Sequence, residues 1–327
     1  MSVVVNKVGF LWENSAASQD LLARHMETIQ NRFPGVTVVR TLDEPELIEK
    51  AGDCEVFLTA GTYCPLEFFR SAENLKWVHA TLEGVDKLTI PELQMRGIKL
   101  TSTKGFHGLT ISEHVLGIMI SFMRGFHLFR DNQRNREWRR IPRPDEILGK
   151  TVGIIGLGFI GREVARKCKL MGMRVVAASG TPMSNDSVER FYAMDHLNEM
   201  LQEVDFAVIT APSTPDTYHL IGEKALGALK NSAYLINVAR GNLVDEQALI
   251  KALKEGTIAG AGLDVFESEP LPPSSELWDF PNVIITPHTS GSSPYYMDRA
   301  LPVFMENLER FLQGKDLLFE VDPGRGY

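Results

Sequence analysis

The segment Gly156-Leu157-Gly158-Phe159-Ile160-Gly161 constrains this chain more than any other. It follows the apolar run Val152 to Ile155 and precedes a helical stretch with apolar Val164, Cys168 and Leu170. Strand, turn and helix in that order need glycine for three separate reasons. The first permits the tight turn, the second lets the backbone approach a pyrophosphate, and the third lets helix and strand pack closely. The helix start then offers backbone N–H groups and a positive dipole end to the phosphates. Gly156, Gly158, Phe159, Ile160 and Gly161 are therefore candidate cofactor-binding residues. A lone motif of this form also occurs as an ordinary turn of other α/β proteins, so its surroundings must decide.

Those surroundings favour a dinucleotide site. Strand-like runs recur at Thr151–Ile155, Arg174–Ala178, Phe206–Thr210, Ala233–Val238, Ala259–Val265 and Val283–Thr286. Six strands with helical intervals make two successive βαβ sets, as a dinucleotide-binding fold requires. The first hundred residues alternate in the same way. Strand candidates are Val3–Trp12, Val36–Leu42, Cys54–Ala60, Lys76–Ala80 and Lys99–Thr103, and helical spacing appears at Ser18–Phe33 and Pro45–Ala51. This predicts a second parallel sheet. Leu109–Arg130 reads as one long apolar helix, followed by a polar helix to about Arg139 and a breaker from Ile141 to Pro144. After Pro294 a helix runs to about Leu312, free to pack back on the first unit.

Ligands of such sheets bind beyond the carboxyl ends of the strands. Ala211, Pro212, Val238, Ala239 and Gly291 lie at or near those ends and extend the cofactor candidates. Reactive side chains fall there too: Arg240, Asp264, Glu269 and His288. Reduction of a ketone needs hydride, stabilisation of negative charge on the carbonyl oxygen and a general acid. A histidine titrates in the right range, and a neighbouring carboxylate favours its imidazolium. An arginine can clamp a substrate carboxylate through its planar fork. Arg240, Glu269 and His288 have the types for these parts. Each also has a plain alternative: a surface arginine, a solvated acidic loop at Glu267-Ser268-Glu269, a packing histidine. The second strand of the glycine-turn unit ends in Ser179, Gly180 and Thr181, where a carboxylate for the adenosine ribose would stand about 20 residues beyond the turn. That absence points to NADP, with NAD or dual use as the alternative.

Residues 149–161, 237–241, 262–272 and 286–291 resemble the signatures of the D-isomer-specific 2-hydroxyacid dehydrogenases, and Thr81–Asp86 and Ser112–His114 resemble shorter motifs of that family. The resemblance spans nearly the whole chain. It implies an α/β protein of two doubly wound parallel-sheet domains. A Rossmann-type cofactor domain, 103–290, would be inserted into a flavodoxin-like substrate domain, 1–102 and 291–327, with the substrate in the cleft between them. It implies His288 as the acid/base, Glu269 as its partner, Arg240 as the substrate arginine and Asp264 as a neighbour of the nicotinamide. Arg240 and His288 would touch both substrate and cofactor. Backbone N–H groups around Glu83 and Gly84 would hold the substrate carboxylate, although a small residue is usual where Glu83 stands. Glu113 and His114 match a family motif and read as structural. The segment 109–139 resembles the family's dimerisation arm, which implies a homodimer. The activity implied is interconversion of a 2-keto acid and a D-2-hydroxy acid, run as a reductase.

Two rivals remain. A formate dehydrogenase shares the architecture but carries glutamine at the position of Glu269 and needs no proton transfer. A nicotinamide-sensing corepressor would bind proteins, yet no long low-complexity tail is evident in the 327 residues. The substrate stays open among glyoxylate, hydroxypyruvate, phenylpyruvate and branched 2-keto acids. Tyr63, Tyr295, Tyr296 and Met297 either line its pocket or pack the seam. The net charge of -8 and the interruption of the basic run Arg134–Arg140 by Glu137 and Trp138 argue against a nucleic-acid partner. Cys54, Cys64 and Cys168 lack metal-ligand spacing, and no run of about 18 apolar residues suits a membrane. The expectation is a cytoplasmic enzyme without a metal.

Overall fold

The computed structural model describes residues 5–11, 19–61, 65–85, 87–88, 90–140, 144–180 and 185–322. The chain divides into two compact units, Met1–Phe106 with Ser293–Tyr327, and His107–Ser292. Tyr63, Cys64 and Thr181 lie outside the described residues.

The first unit runs β1 (Lys7–Leu11), α1 (Gln19–Arg32), β2 (Thr37–Thr41), α2 (Glu44–Ala51), β3 (Val56–Thr59), α3 (Leu66–Ser71), β4 (Trp77–Ala80), α4 (Ile90–Met95) and β5 (Lys99–Ser102). Its strands form one sheet in the order β2-β1-β3-β4-β5, with every pairing parallel. That is the flavodoxin-like order. Every residue of β3 and β4 is buried, as expected of strands covered on both faces. Local chemistry starts α2: the Asp43 side chain accepts from the Glu46 N–H at 2.9 Å, Glu46 accepts from the Leu42 N–H at 2.7 Å, and Pro45 stands in the first turn.

The second unit runs α5 (His107–Arg124), α6 (Phe126–Arg134), β6 (Thr151–Ile155), α7 (Phe159–Leu170), β7 (Arg174–Ala178), β8 (Arg190–Tyr192), α8 (Leu197–Glu203), β9 (Phe206–Ile209), α9 (Glu223–Ala228), β10 (Tyr234–Asn237), α10 (Glu246–Glu255), β11 (Gly260–Leu263) and β12 (Val283–Ile285). The sheet order is β12-β11-β10-β9-β6-β7-β8, again parallel throughout. Counted from β6, this is the Rossmann order extended by one strand, and it reverses between β6 and β9. The last helix, α11 (Tyr296–Leu312), belongs to the first unit. There Phe304 stacks on Trp77 with ring centroids 5.4 Å apart, and Met297, Leu301 and Leu308 join the same core.

Two expectations need correction. The sheet of the second unit has a seventh strand, β8, whose residues are exposed or half-buried and give no apolar run to read. The long helix is also broken. Gly125 takes φ +68, the left-handed region that favours glycine, and separates α5 from α6. The polar helix then stops at Arg134, and Arg136 is left-handed at φ +57. Ile111, Val115, Ile118, Met119 and Phe122 of α5 face the core of their own unit. α6 has no buried residue, and Phe126, Phe129 and Trp138 are exposed apolar groups. No helix among the described residues is long and apolar enough to cross a membrane.

Candidate active site

The glycine turn joins β6 to α7 at the point where the strand order reverses. Gly156 has φ +94, and a Cβ there would lie 2.6 Å from the backbone N and Cα of Ala211, just past β9. A Cβ on Gly161 would lie 2.2 Å from the Gly156 carbonyl oxygen and 2.8 Å from the Thr210 hydroxyl. Thr210 already donates to that carbonyl at 2.6 Å. A Cβ on Gly158 would meet nothing within 4 Å. The outer glycines are thus filled by protein, and the middle one faces open space. Gly158 is the N-cap of α7 and supplies no side chain to its first turn, where Phe159 is exposed and Ile160 half-buried. This cradle fits a pyrophosphate approaching the helix N-terminus.

β7 ends beside β8, where the Ser179 N–H donates to the Tyr192 carbonyl at 3.3 Å. Ser179 is half-buried and Gly180 exposed, and neither carries charge. Across the reversal, Ala211 is buried and Pro212 exposed, with the Pro212 carbonyl accepting from the Thr217 hydroxyl at 2.7 Å.

β10 presents Arg240 through a side-chain staple. Buried Asn237 accepts from the Ala239 N–H at 3.1 Å and donates to the Arg240 carbonyl at 2.9 Å, which fixes the turn after Val238. Arg240 is half-buried and its guanidinium donates to the Ala239 carbonyl at 2.8 Å.

The turn after β12 carries His288, a non-glycine residue at φ +50. Its Nδ1 is 2.8 Å from Glu269 Oε2, and the other Glu269 oxygen accepts from the Phe266 N–H at 3.1 Å. An ionised carboxylate only accepts, so Nδ1 carries a proton and Nε2 is left for exchange with a ligand. The two side chains are 43% and 28% exposed, which leaves the pair open to a ligand.

Asp264 holds this turn from beneath. It is fully buried, and its carboxylate accepts from the Thr286 hydroxyl at 2.6 Å and from the N–H groups of Thr289 and Ser290 at 2.9 Å each. Its carbonyl accepts from the His288 N–H at 2.8 Å. Burial alone would raise its pKa, but the hydrogen bonds from Ser290, Thr286 and Thr289 outweigh that and hold it below the ordinary value. Gly291 follows, half-buried, and its carbonyl accepts from Thr110 at 3.3 Å.

The acidic loop is not merely solvated. Glu267 accepts from His219 Nε2 at 2.8 Å, and Glu246 and Glu267 each accept from the other's N–H, at 2.6 and 3.3 Å. Burial raises the Glu246 pKa; the Glu267 N–H opposes this, and the charges of Glu267 and Glu269 reinforce it. Nothing in the spacing of His219 or Glu246 signals this clasp, since His219 comes from another loop and Glu246 from the start of α10. Glu113 forms a surface ion pair with Lys167, whereas His114 Nε2 lies 3.1 Å from the Thr286 hydroxyl.

In the first unit, Glu83 and Gly84 are half-buried in the loop after β4. Buried Thr81 begins that loop and accepts from the Tyr296 hydroxyl at 2.8 Å. Tyr296 also packs edge-on against Phe106, and Met297 is buried in the core. Tyr295 is exposed, with the Arg299 guanidinium 5.6 Å from its ring centre.

Comparison with known proteins agrees with this fold. The family described as D-isomer specific 2-hydroxyacid dehydrogenase, NAD binding domain, matches residues 116–290. A glyoxylate reductase of Korarchaeum cryptofilum is 35% identical over 275 residues, 82% of this chain and 83% of that protein. A glyoxylate/hydroxypyruvate reductase B of Yersinia pestis is 34% identical over 300 residues, 90% of each chain. The solved structure of a D-isomer specific 2-hydroxyacid dehydrogenase from Xanthobacter autotrophicus, in complex with NADPH and MES, superposes with a TM-score of 0.85 at 30% identity, covering 99% of this chain and 100% of that one. A reversed parallel sheet with a glycine cradle, a histidine–carboxylate pair and matches of this extent lead to one conclusion: the chain belongs to the D-isomer specific 2-hydroxyacid dehydrogenase family.

Proposed function

We propose that the chain reduces a 2-keto acid to the D-2-hydroxy acid, with NADPH preferred over NADH. The observation that carries this reading is the 2.8 Å pair of His288 Nδ1 and Glu269 Oε2, in the segments that follow β12 and β11 of the sheet that also carries the glycine cradle. The cofactor, when bound, supplies hydride to the carbonyl carbon. His288 gives a proton from Nε2 to the carbonyl oxygen, and Glu269 orients the ring and favours its charged form. Arg240 takes the substrate carboxylate with its planar fork and lies next to the developing charge. The family resemblance adds backbone N–H groups around Glu83 and Gly84 of the first unit as candidates for holding the substrate carboxylate. The unit His107–Ser292 is the cofactor unit in this reading, and the other is the substrate unit.

Gly156, Gly158, Phe159, Ile160 and Gly161 take the pyrophosphate, and Ser179 and Gly180 the adenosine ribose. Ala211, Pro212, Val238, Ala239, Asp264 and Gly291 line the remaining length. Lack of a carboxylate at Ser179 removes the repulsion that a 2′-phosphate would meet, and the NADPH bound to the Xanthobacter relative supports the same preference. The names of the relatives put glyoxylate and hydroxypyruvate first among substrates. Exposed Phe126, Phe129 and Trp138 support a homodimer through that segment. Buried free thiols at Cys54 and Cys168 support a reducing, cytoplasmic setting.

The test is a panel of 2-keto acids with NADH and NADPH, following loss of reduced cofactor and the chirality of the product. Turnover of glyoxylate or hydroxypyruvate supports the proposal. No turnover of any keto acid, with cofactor still bound, favours the corepressor alternative.

A further inference from the structure

Three polar groups form a line beneath the turn that carries His288. Asp264 is fully buried and acts as an acceptor at both oxygens. The Thr286 hydroxyl has one proton, and the 2.6 Å contact to Asp264 Oδ1 uses it. Its lone pairs can then only accept. The group on that side is His114 Nε2 at 3.1 Å, which therefore carries hydrogen. The direction is fixed throughout: His114 N–H to Thr286, Thr286 O–H to Asp264. His114 comes from α5, and its side chain is only 20% exposed.

From these contacts we infer that His114 is a positioning residue for the catalytic turn, acting through Thr286 and Asp264 on His288. The same carboxylate accepts from the Thr289 and Ser290 N–H groups, and the Asp264 carbonyl accepts from the His288 N–H. The carboxylate and carbonyl of one buried residue thus hold the backbone on both sides of His288, at a residue whose φ of +50 is costly outside glycine. Strain of that kind persists only when the surroundings over-determine it. Thr286 locks one Asp264 oxygen, and His114 locks the rotor of Thr286. Without the histidine the Thr286 hydroxyl loses the contact that fixes its rotor, its hold on Asp264 Oδ1 loosens while the Thr289 and Ser290 N–H groups remain, and the turn aims the imidazole less tightly at the reacting carbonyl. Small misplacements of this kind lower turnover without weakening ground-state binding.

This inference rests on His288 as proton donor in the proposed reduction, and the test separates the two. His114→Leu removes the donor and keeps an apolar helix position. His114→Gln places an amide N–H near Nε2. Thr286→Val removes the relay at constant shape. Expected are losses of about 10- to 100-fold in kcat for His114→Leu and Thr286→Val, with KM for the keto acid and Kd for NADPH within about twofold. The double variant should be no worse than either single one, and His114→Gln should recover most of the turnover. Hydrogen exchange adds a readout independent of activity. The amides of 286–292 should exchange faster in the Leu and Val variants while those of β6 stay protected. Parent-like turnover and exchange in His114→Leu overturn the inference. So do losses that multiply, or a Gln variant as poor as the Leu variant, which would mark a packing role. If the parent reduces no keto acid, the proposed function fails, and exchange at 286–292 still decides the relay.

Discussion

Gly158→Ala and Gly161→Ala should separate cofactor binding from folding within a single turn. At Gly161 the new methyl would sit 2.2 Å from a backbone carbonyl oxygen, more than 1 Å inside ordinary contact, and the clashing atom is backbone, not the end of a flexible side chain. Overpacking of this kind costs about 1–3 kcal/mol, or roughly 2–12 °C in Tm for a unit of this size. Gly158 has the extended backbone φ -72, ψ -160, which any residue adopts, and its methyl would meet nothing within 4 Å. The cost to folding is then only that of a poorer N-cap, at most about 1 kcal/mol. In the proposed binding mode the same methyl would stand between the phosphate oxygens and the helix N–H groups. Loss of one charge-assisted hydrogen bond, about 1.5–3 kcal/mol, weakens NADPH about 10- to 100-fold. Calorimetry gives Tm and a fluorescence titration gives Kd. Parent-like Kd in Gly158→Ala would refute the assignment of the turn as the pyrophosphate site. Parent-like Tm in Gly161→Ala would refute the close approach itself.

His288→Ala should lower keto acid turnover by about 10²- to 10⁴-fold while NADPH still binds; near-parent turnover in a folded variant would remove His288 from the proton transfer. Arg240→Lys keeps charge but loses the fork, so KM should rise strongly and kcat fall, and parent-like kinetics on every keto acid would make the arginine structural. Ser179→Asp should move the ratio of kcat/KM values from NADPH toward NADH, and a parent that already favours NADH would show that the missing carboxylate has no bearing on cofactor choice. His79 is fully buried between the Thr101 and Thr103 hydroxyls, and burial holds its pKa down to about 3. Its stability contribution is complete above the unfolded value and is lost as pH falls from there toward 3, because only the unfolded chain takes up the proton. The loss between pH 7 and 5 is about 2 kcal/mol, measurable by urea unfolding, and should vanish in His79→Gln; a parent equally stable at both pH values would contradict it.

Much of the fold is legible because strands buried on both faces are written as unbroken apolar runs. Val152–Ile155 and Phe206–Ile209 are of that kind, and their ends place the glycine cradle and its neighbour Ala211. β8 escaped because Arg190-Phe191-Tyr192 is a short edge strand whose place depends on pairing with β7, not on an apolar pattern. The break at Gly125 escaped because apolar spacing continues across it, whereas backbone handedness leaves no mark in hydrophobic periodicity. Arg240, Glu269 and His288 follow strands and have residue types suited to carboxylate binding and proton transfer, which is what makes them candidates in the sequence, and a 2.8 Å contact joins the last two. His219, Glu246 and Thr286 do not stand out. Each acquires a part only from a partner 20 or more residues away, as with Glu246 and Glu267 across 21 residues.

The stacking of Trp77 on Phe304 has a consequence for how the chain is made. On the ribosome, the first hundred residues emerge with five strands but without the helix that covers Trp77. The segment 107–292 is continuous and can complete its own core as soon as β12 leaves the tunnel. Until α11 follows, Val8, Phe10, Val56 and Trp77 lack one wall of their core and present apolar surface to solvent. Folding of the inserted segment shortens the effective loop that the Trp77–Phe304 contact must close, which lowers its entropic cost. The earliest part of the nascent chain is therefore the last to be finished, and it is where a holdase chaperone would find its binding surface.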